Sequence, residues 1–503
     1  MRAFGVPARA RRGAAHSIGR RGRLAARRAG YLPTMAMTTS VQKGEEHFGY
    51  VVFIAAAAAM GGFLFGYDSS VINGAVTGIQ DHFKVGSNQT GFAVASALLG
   101  SAVGAWFAGP LADRIGRVKV MLIGAALFVV SGVLSGLAFS IVDLSIWRIV
   151  GGIGIGIASV IAPAYIAEVA PPQYRGRLGS LQQMAIVLGI FISQLINYGL
   201  NEAADGQTTN NLWGLQAWRW MLIIESFPAL LYGLLALLVP ESPRYLIANN
   251  QHDRAVEVLR KVEGPGVDIE GRIRDIRAVI SSEHRARFRD LLGRSGFVLP
   301  IVLIGIGLSV FQQFVGINVI FYYSSLLWQS VGYNVANSLL LSVSTSIVNV
   351  IGTVVAISLI DRVGRKPLAL VGSVGMTISL AVVAFAFSHV DKASGVSSIS
   401  KGYGTTAIVG AHVYVFFFAM SWGVVVWVLL GEMFPNKIRA LALSVAAAFQ
   451  WVANFAISQS FPTMSRWSLS GSYIIYACFA FLSIPFILKF VKETKGKSLE
   501  EMG

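Results

Sequence analysis

The chain has 503 residues, of which 54% are hydrophobic and only 13% charged, and its mean hydropathy is +0.62. That excludes a water-soluble globular protein, because soluble domains carry about 25% charged residues. The net charge of +16 points to nucleic acid until it is located: nine arginines and no acid stand in the first thirty residues, so much of it is a terminal tail.

That tail, residues 1–46, is read as disordered. It lacks the apolar core that a signal peptide places after its charges. A basic tail, a transit peptide and a start drawn too far upstream all fit it, and the last is preferred, with Met35 or Met37 as the true beginning.

From Tyr50 onward, apolar runs of about 20 residues recur, the length a helix needs to cross a bilayer core of roughly 30 Å. They begin near Tyr50, Gly91, Val120, Leu144, Leu181 and Trp218, then near Phe297, Val335, Leu368, Ala407, Leu441 and Ser472. Runs such as VVFIAAAAAMGGFLF do not alternate in polarity, which excludes barrel strands. The expected architecture is all-α and integral to the membrane, with about twelve spans in two six-helix bundles, 47–245 and 297–491. A helical linker, 246–296, joins them, and a short tail, 492–503, follows. The linker stretches HDRAVEVLRKVEG and IEGRIRDIRAVISSEHRARFRDLL read as amphipathic surface helices.

Loops carrying DRIGRVK, PPQYRGR, PESPR, DRVGRKP and PNKIR fall on one side, with both termini; by the positive-inside rule that side is cytoplasmic. Internal repetition is plain. ADRIGR at 112–117 returns as IDRVGR at 360–365, and EVAPPQYRG at 168–176 as EMFPNKIRA at 432–440. A duplicated bundle with polar residues at its midplane is how secondary transporters are built.

The polar residues inside the spans state what such a site would hold. Amides both donate and accept, as a sugar hydroxyl requires, and are costly in a span without a partner. Gln182, Gln183 and Gln194 lie in the fifth span, Gln312, Gln313 and Asn318 in the seventh, Asn349 in the eighth, Gln450 and Asn454 in the eleventh. Helix-to-helix hydrogen bonding is the competing use of any one of them. Asp68, Arg148 and Glu225 sit within or near apolar runs, where an ionisable residue is a functional hypothesis by default; they read as a proton carrier and its counter-charge.

Charges at the span ends repeat in the two halves: Asp113, Arg114, Arg117, Glu168, Arg175, Glu241 and Arg244, then Asp361, Arg362, Arg365, Glu432 and Arg439. Opposite signs at facing helix ends read as a latch that closes and opens the cytoplasmic side. GGIGIGIAS in the fourth span has the glycines of a nucleotide loop but no preceding strand, and reads as close helix packing. The lone Cys478 excludes an intrachain disulfide, and nothing calls for a metal, a cofactor or nucleic acid.

DRIGR, DRVGR, PESPRYL at 240–246, FQQFVGINVIFYYS at 311–324, EVAPPQYRG and KETKGKSLEE at 492–501 together resemble the sugar porters of the major facilitator superfamily, over about Gly49–Met502. The likeness is greatest to bacterial proton-linked xylose and glucose symporters. Val118 replaces a basic residue usual there, and Val491-Lys492 replace a proline. The resemblance implies that Gln183, Gln312, Gln313, Asn318, Asn349, Trp427, Gln450, Trp451 and Asn454 bind sugar, with Phe65, Tyr322 and Tyr323 as aromatic lining and lid.

It further implies that Asp68 and Arg148 form the pair of proton-linked members, with Glu225 a further acid. Facilitative carriers have asparagine at position 68 and glutamate at 419, where this chain has alanine. The expected function is proton-coupled import of a monosaccharide across the plasma membrane by a monomer embedded in the bilayer. A uniporter with the same site is the alternative, and a non-transporting sugar sensor a more distant one.

Overall fold

The computed structural model describes residues 35–171, 175–264, 267–282, 288–293, 296–391, 398–435 and 438–495, without the side chains of 35–47, 175–177, 279, 282 and 440. The basic tail of the sequence reading therefore lies largely outside the described residues. Residues Met1–Glu45 form a unit of their own, and Glu46–Gly503 form a single compact one.

Twelve helices of the described residues are long and apolar enough to cross a membrane. They are Phe48–Phe83, Ser87–Ile115, Arg117–Gly136, Ile141–Val169, Leu178–Ala203 and Ala217–Leu238, then Pro300–Gln329, Val335–Val363, Arg365–Phe387, Lys401–Met433, Leu441–Trp467 and Leu469–Phe490. They are numbered here as spans 1 to 12. Several starts are fixed by side-chain caps: Ser140 accepts from Asp143 N, Asn334 from Asn337 N and Ser468 from Gly471 N, each satisfying a backbone donor that the first helical turn leaves open. Span 10 starts six residues before the sequence reading placed it, because its polar first turn, Lys401–Thr406, is helical without being apolar.

Helices Pro243–Ala248, His252–Glu263 and Ile269–Ser282 occupy the linker. The second buries Ala255, Val258, Leu259 and Val262, the single stripe expected of an amphipathic helix. These helices mark one end of the bundle, the linker end. The other is marked by two short hairpins, Asn211–Leu212 with Leu215–Gln216 and Val390–Asp391 with Ser398–Ile399.

Span 4 crosses span 2 at backbone distance. A Cβ on Gly152 or Gly156 would collide with the carbonyl of Ala97 or Ser101, which accounts for the glycine-rich run as packing. Three spans are interrupted. Span 6 breaks at Glu225, where Pro228 removes the N–H that would meet the Ile224 carbonyl. Span 10 breaks at Met420–Ser421. Span 7 divides into Pro300–Phe314 and Ile317–Gln329 at Gly316, whose φ of +85° is left-handed and whose missing side chain leaves room for the Tyr476 ring.

Candidate functional site

The break in span 7 sets the geometry of a cavity between the halves. Interrupting a helix frees carbonyls, and Tyr414 of span 10 donates its hydroxyl to the Val315 carbonyl at 2.7 Å. Around the break the amides link in a chain. Asn318 Nδ2 donates to Gln313 Oε1 (2.5 Å), Gln313 Nε2 to Gln312 Oε1 (3.3 Å), and Gln450 Nε2 to the same Gln312 oxygen (2.6 Å). Gln312 Nε2 donates to the Trp422 carbonyl beyond the break in span 10 (2.9 Å). Each amide is thus held by another, and Gln450 Oε1 is left with no partner.

The cavity holds about 110 Å³. Phe65, Gln183, Gln312, Gln313, Asn318 and Tyr322 border it, as do Asn349, Trp427, Gln450, Trp451 and Asn454. Eleven of the twelve residues matched to sugar binding therefore surround one space. The Phe65 ring of span 1 meets Trp451 of span 11 with centroids 5.7 Å apart.

Tyr323 is the exception. It is fully buried behind the wall, donates to the Ser458 carbonyl at 2.8 Å and packs on Phe461. Adjacent helical residues point about 100° apart, so when Tyr322 faces the cavity Tyr323 anchors its helix to span 11. Sequence reasoning passed over Ser69, Ser70 and Thr353, which also border the space.

Asp68, Arg148 and Glu225 come together as a buried cluster, each no more than 2% exposed. Arg148 Nη1 donates to Asp68 Oδ1 at 2.6 Å, and the Glu225 carboxyl faces that of Asp68. Asp68 Oδ2, Arg148 Nε and Glu225 Oε1 have no partner. Asp68 is ion-paired with the guanidinium, and Glu225 adds a second carboxyl within reach of the same charge. Asp68 is one helical turn from Phe65 on span 1, so cluster and cavity share a helix.

At the linker end the expected charges form two matching networks, each within one half. Arg117 grips Glu168 through Nε and Nη2 (2.9 and 3.0 Å) and Asp113 at 2.9 Å. Arg365 grips Glu432 (3.1 and 2.9 Å) and Asp361 at 3.1 Å. Glu241 receives the N–H groups of Arg117 and Val118 where span 3 begins, and Glu493 those of Arg365 and Lys366 where span 9 begins. Ser242 donates to Glu168, and Thr494 to Glu432.

Sequence reasoning named Glu241 but missed Glu493; the signal was the correspondence of PESPR with KETKG. Partial burial pushes the Glu493 carboxyl up, but four backbone N–H groups outweigh it and hold its pKa below the ordinary carboxylate value. Arg244 lies 4.0 Å from Glu168, and Arg439 donates to the Phe434 carbonyl. Arg114 and Arg362 are exposed. The Arg175 side chain lies outside the described residues.

Hydrogen bonds between the halves gather toward the hairpin end. Asn73 of span 1 donates to Ser342 Oγ and accepts from Ser325 N, Gln194 of span 5 donates to the Phe321 carbonyl, and Gln329 donates to Thr77. Asn73 also donates to Gln194, so this amide, outside the set implied to bind sugar, is part of a buried clasp. Gln182 packs instead against Gly62 of span 1.

Residues 54–503 match the family model described as "Sugar (and other) transporter". The chain is 54% identical over 470 residues to the glucose transport protein of Synechocystis sp., covering 93% of this chain and 100% of that one. To the D-xylose-proton symporter of Escherichia coli it is 37% identical over 486 residues, covering 90% and 95%.

Among solved structures it is similar to the xylose transporter of E. coli in a partially occluded inward-open conformation, with TM-score 0.77, 36% identity and coverage of 90% and 100%. It is also similar to that major facilitator proton:xylose symporter bound to 6-bromo-6-deoxy-D-glucose, with TM-score 0.75, 37% identity and coverage of 91% and 99%. The chain is a multi-pass membrane protein of the major facilitator fold and belongs to the sugar transporter family.

Proposed function

We propose that this protein is a proton-coupled monosaccharide symporter, of glucose or xylose type, working by alternating access. The observation that carries the reading is that an amide-lined cavity and a buried cluster of two carboxyls and one guanidinium are built on the same helix, one turn apart.

Two ionised carboxylates against one guanidinium leave an uncompensated buried charge, which costs several kcal/mol. A proton shared between Asp68 and Glu225 removes it, with the partnerless Asp68 Oδ2 and Glu225 Oε1 as the atoms that donate and accept. A proton passing down a 100 mV potential supplies about 2.3 kcal/mol, enough to hold an uncharged sugar at roughly fifty-fold accumulation at one proton per sugar. The amides around Gln312 meet sugar hydroxyls, while Phe65, Trp427 and Trp451 lie against the ring.

In this reading the linker end is cytoplasmic, in a plasma membrane, because the basic loops gather there. The Arg117 and Arg365 networks stiffen that end of each half, and Arg114, Arg175, Arg244, Arg362 and Arg439 meet acids of the other half when it closes. In liposomes without a potential, external pH is followed as glucose, xylose, galactose, arabinose or inositol is added. Sustained alkalinisation with one of them, abolished in Asp68→Asn while labelled-sugar counterflow persists, supports symport. A flat pH with labelled sugar still equilibrating makes the protein a uniporter.

A further inference from the structure

Helical serines ordinarily return their hydroxyl to a carbonyl one turn earlier in their own helix. Most spans here follow the rule: Ser101 donates to Ala97, Ser145 to Ile141, Ser342 to Ser338 and Ser379 to Gly375. Ser69 and Ser70 do not. The Ser70 hydroxyl is buried with no hydrogen-bond partner, and the buried Ser69 hydroxyl turns from its own helix toward the Tyr322 hydroxyl. Leaving such groups unpaired costs free energy, and both border the cavity.

The cavity is also lopsided. The second half offers it Gln312, Gln313, Asn318, Asn349, Gln450 and Asn454. The first half offers Phe65, Gly66, Ile186, Val187 and Ile190, with polar side chains only at Gln183, Ser69 and Ser70. A ligand that draws two halves together has to be held by both.

We propose that Ser69 and Ser70 are sugar-binding residues, whose hydroxyls pair with hydroxyl groups of the monosaccharide and form the first half's grip on it. The proposal rests on reading the cavity as a sugar site. Its consequence is mechanical. Asp68 adjoins Ser69 in the chain, and Tyr322 lies on the segment Ile317–Gln329 beyond the break in span 7. A sugar hydroxyl held by Ser69 and Tyr322 therefore ties the proton cluster, the sugar and span 7 together through one point.

The test is equilibrium exchange of labelled glucose in liposomes, which needs no proton gradient, on the full chain and on Ser69→Ala, Ser70→Ala, their double variant and the double threonine variant. The double alanine variant should raise the half-saturating glucose concentration about thirtyfold, two hydrogen bonds of ordinary net worth, and threonine should restore it. A series of monodeoxyglucoses identifies the contact: the analogue lacking the serine-paired hydroxyl should bind poorly to the unaltered protein and lose nothing further in the alanine variant. An alanine penalty equal for every analogue, or none, overturns the assignment. If the unaltered protein exchanges none of the sugars, the sugar-site reading falls, and this with it.

Discussion

Replacing Arg148 by glutamine should destabilise the protein far more than replacing Asp68 by asparagine, although the two residues form one ion pair. The guanidinium lies 2.6 Å from Asp68 Oδ1, a gross attraction of about 6 kcal/mol at an effective dielectric of 20. Removing one partner of a buried pair costs about 3–5 kcal/mol because the other charge is stranded.

Arg148→Gln strands two carboxyls, Asp68 and Glu225. Asp68→Asn leaves Glu225 to balance the guanidinium, so its cost should be about 1 kcal/mol, that of an altered hydrogen bond. Thermal unfolding of the detergent-solubilised protein, followed by tryptophan fluorescence, should show the melting temperature of Arg148→Gln falling several times further than that of Asp68→Asn. Equal falls would refute the sharing of one base by two acids and reduce the cluster to a simple pair beside a bystander.

Other perturbations test other parts of the structure. Gly316→Ala forces a side chain into left-handed backbone, at about 1–2 kcal/mol, and toward the Tyr476 ring; sugar exchange should slow and the melting temperature fall. Gln312→Ala leaves Gln313 and Gln450 without their shared acceptor and should weaken sugar affinity about tenfold, read as a rise in the half-saturating concentration. Glu493 has a lowered pKa in the folded protein, so its contribution to stability is complete above its ordinary value of 4.5 and is lost as pH falls through the lowered one; Glu493→Gln should flatten that acid limb of the melting curve. Gly152→Val drives a side chain into the Ala97 carbonyl and should abolish recovery of folded protein from the membrane.

The features legible in sequence are those set by composition along one helix. Apolar length marks the spans, and an intramembrane Asp or amide declares itself by its cost, so Asp68 and the Gln312–Gln313 pair stand out in the sequence alone. Features that depend on rotation or on a partner span did not. Tyr322 and Tyr323 are the same residue type in the same motif, and only the helix's rotation turns one to the cavity and the other to Ser458.

The break at Met420–Ser421 contains neither glycine nor proline, Gly423 following inside the next helix, and the Trp422 carbonyl finds Gln312. The charged motifs suggested a latch of opposite signs at facing helix ends. Among the described residues Glu168 and Glu432 are gripped by Arg117 and Arg365, each of its own half, and that pairing takes three dimensions to see. Gln194 was legible as buried polarity, but that it joins spans 1 and 7 needed three dimensions.

The segment Ile317–Gln329 is held to its own bundle by Tyr323 and to the opposite one by Asn73, Gln194 and Thr77, while at Gly316 it is severed from the helix that precedes it. Its bonds to the opposite bundle run between amide side chains, hydroxyls and backbone groups, so breaking them exposes no charge. In the proposed alternating access, opening this end breaks these neutral hydrogen bonds. Selection can adjust the turnover rate by adding or deleting one such bond without rebuilding the cavity beneath it.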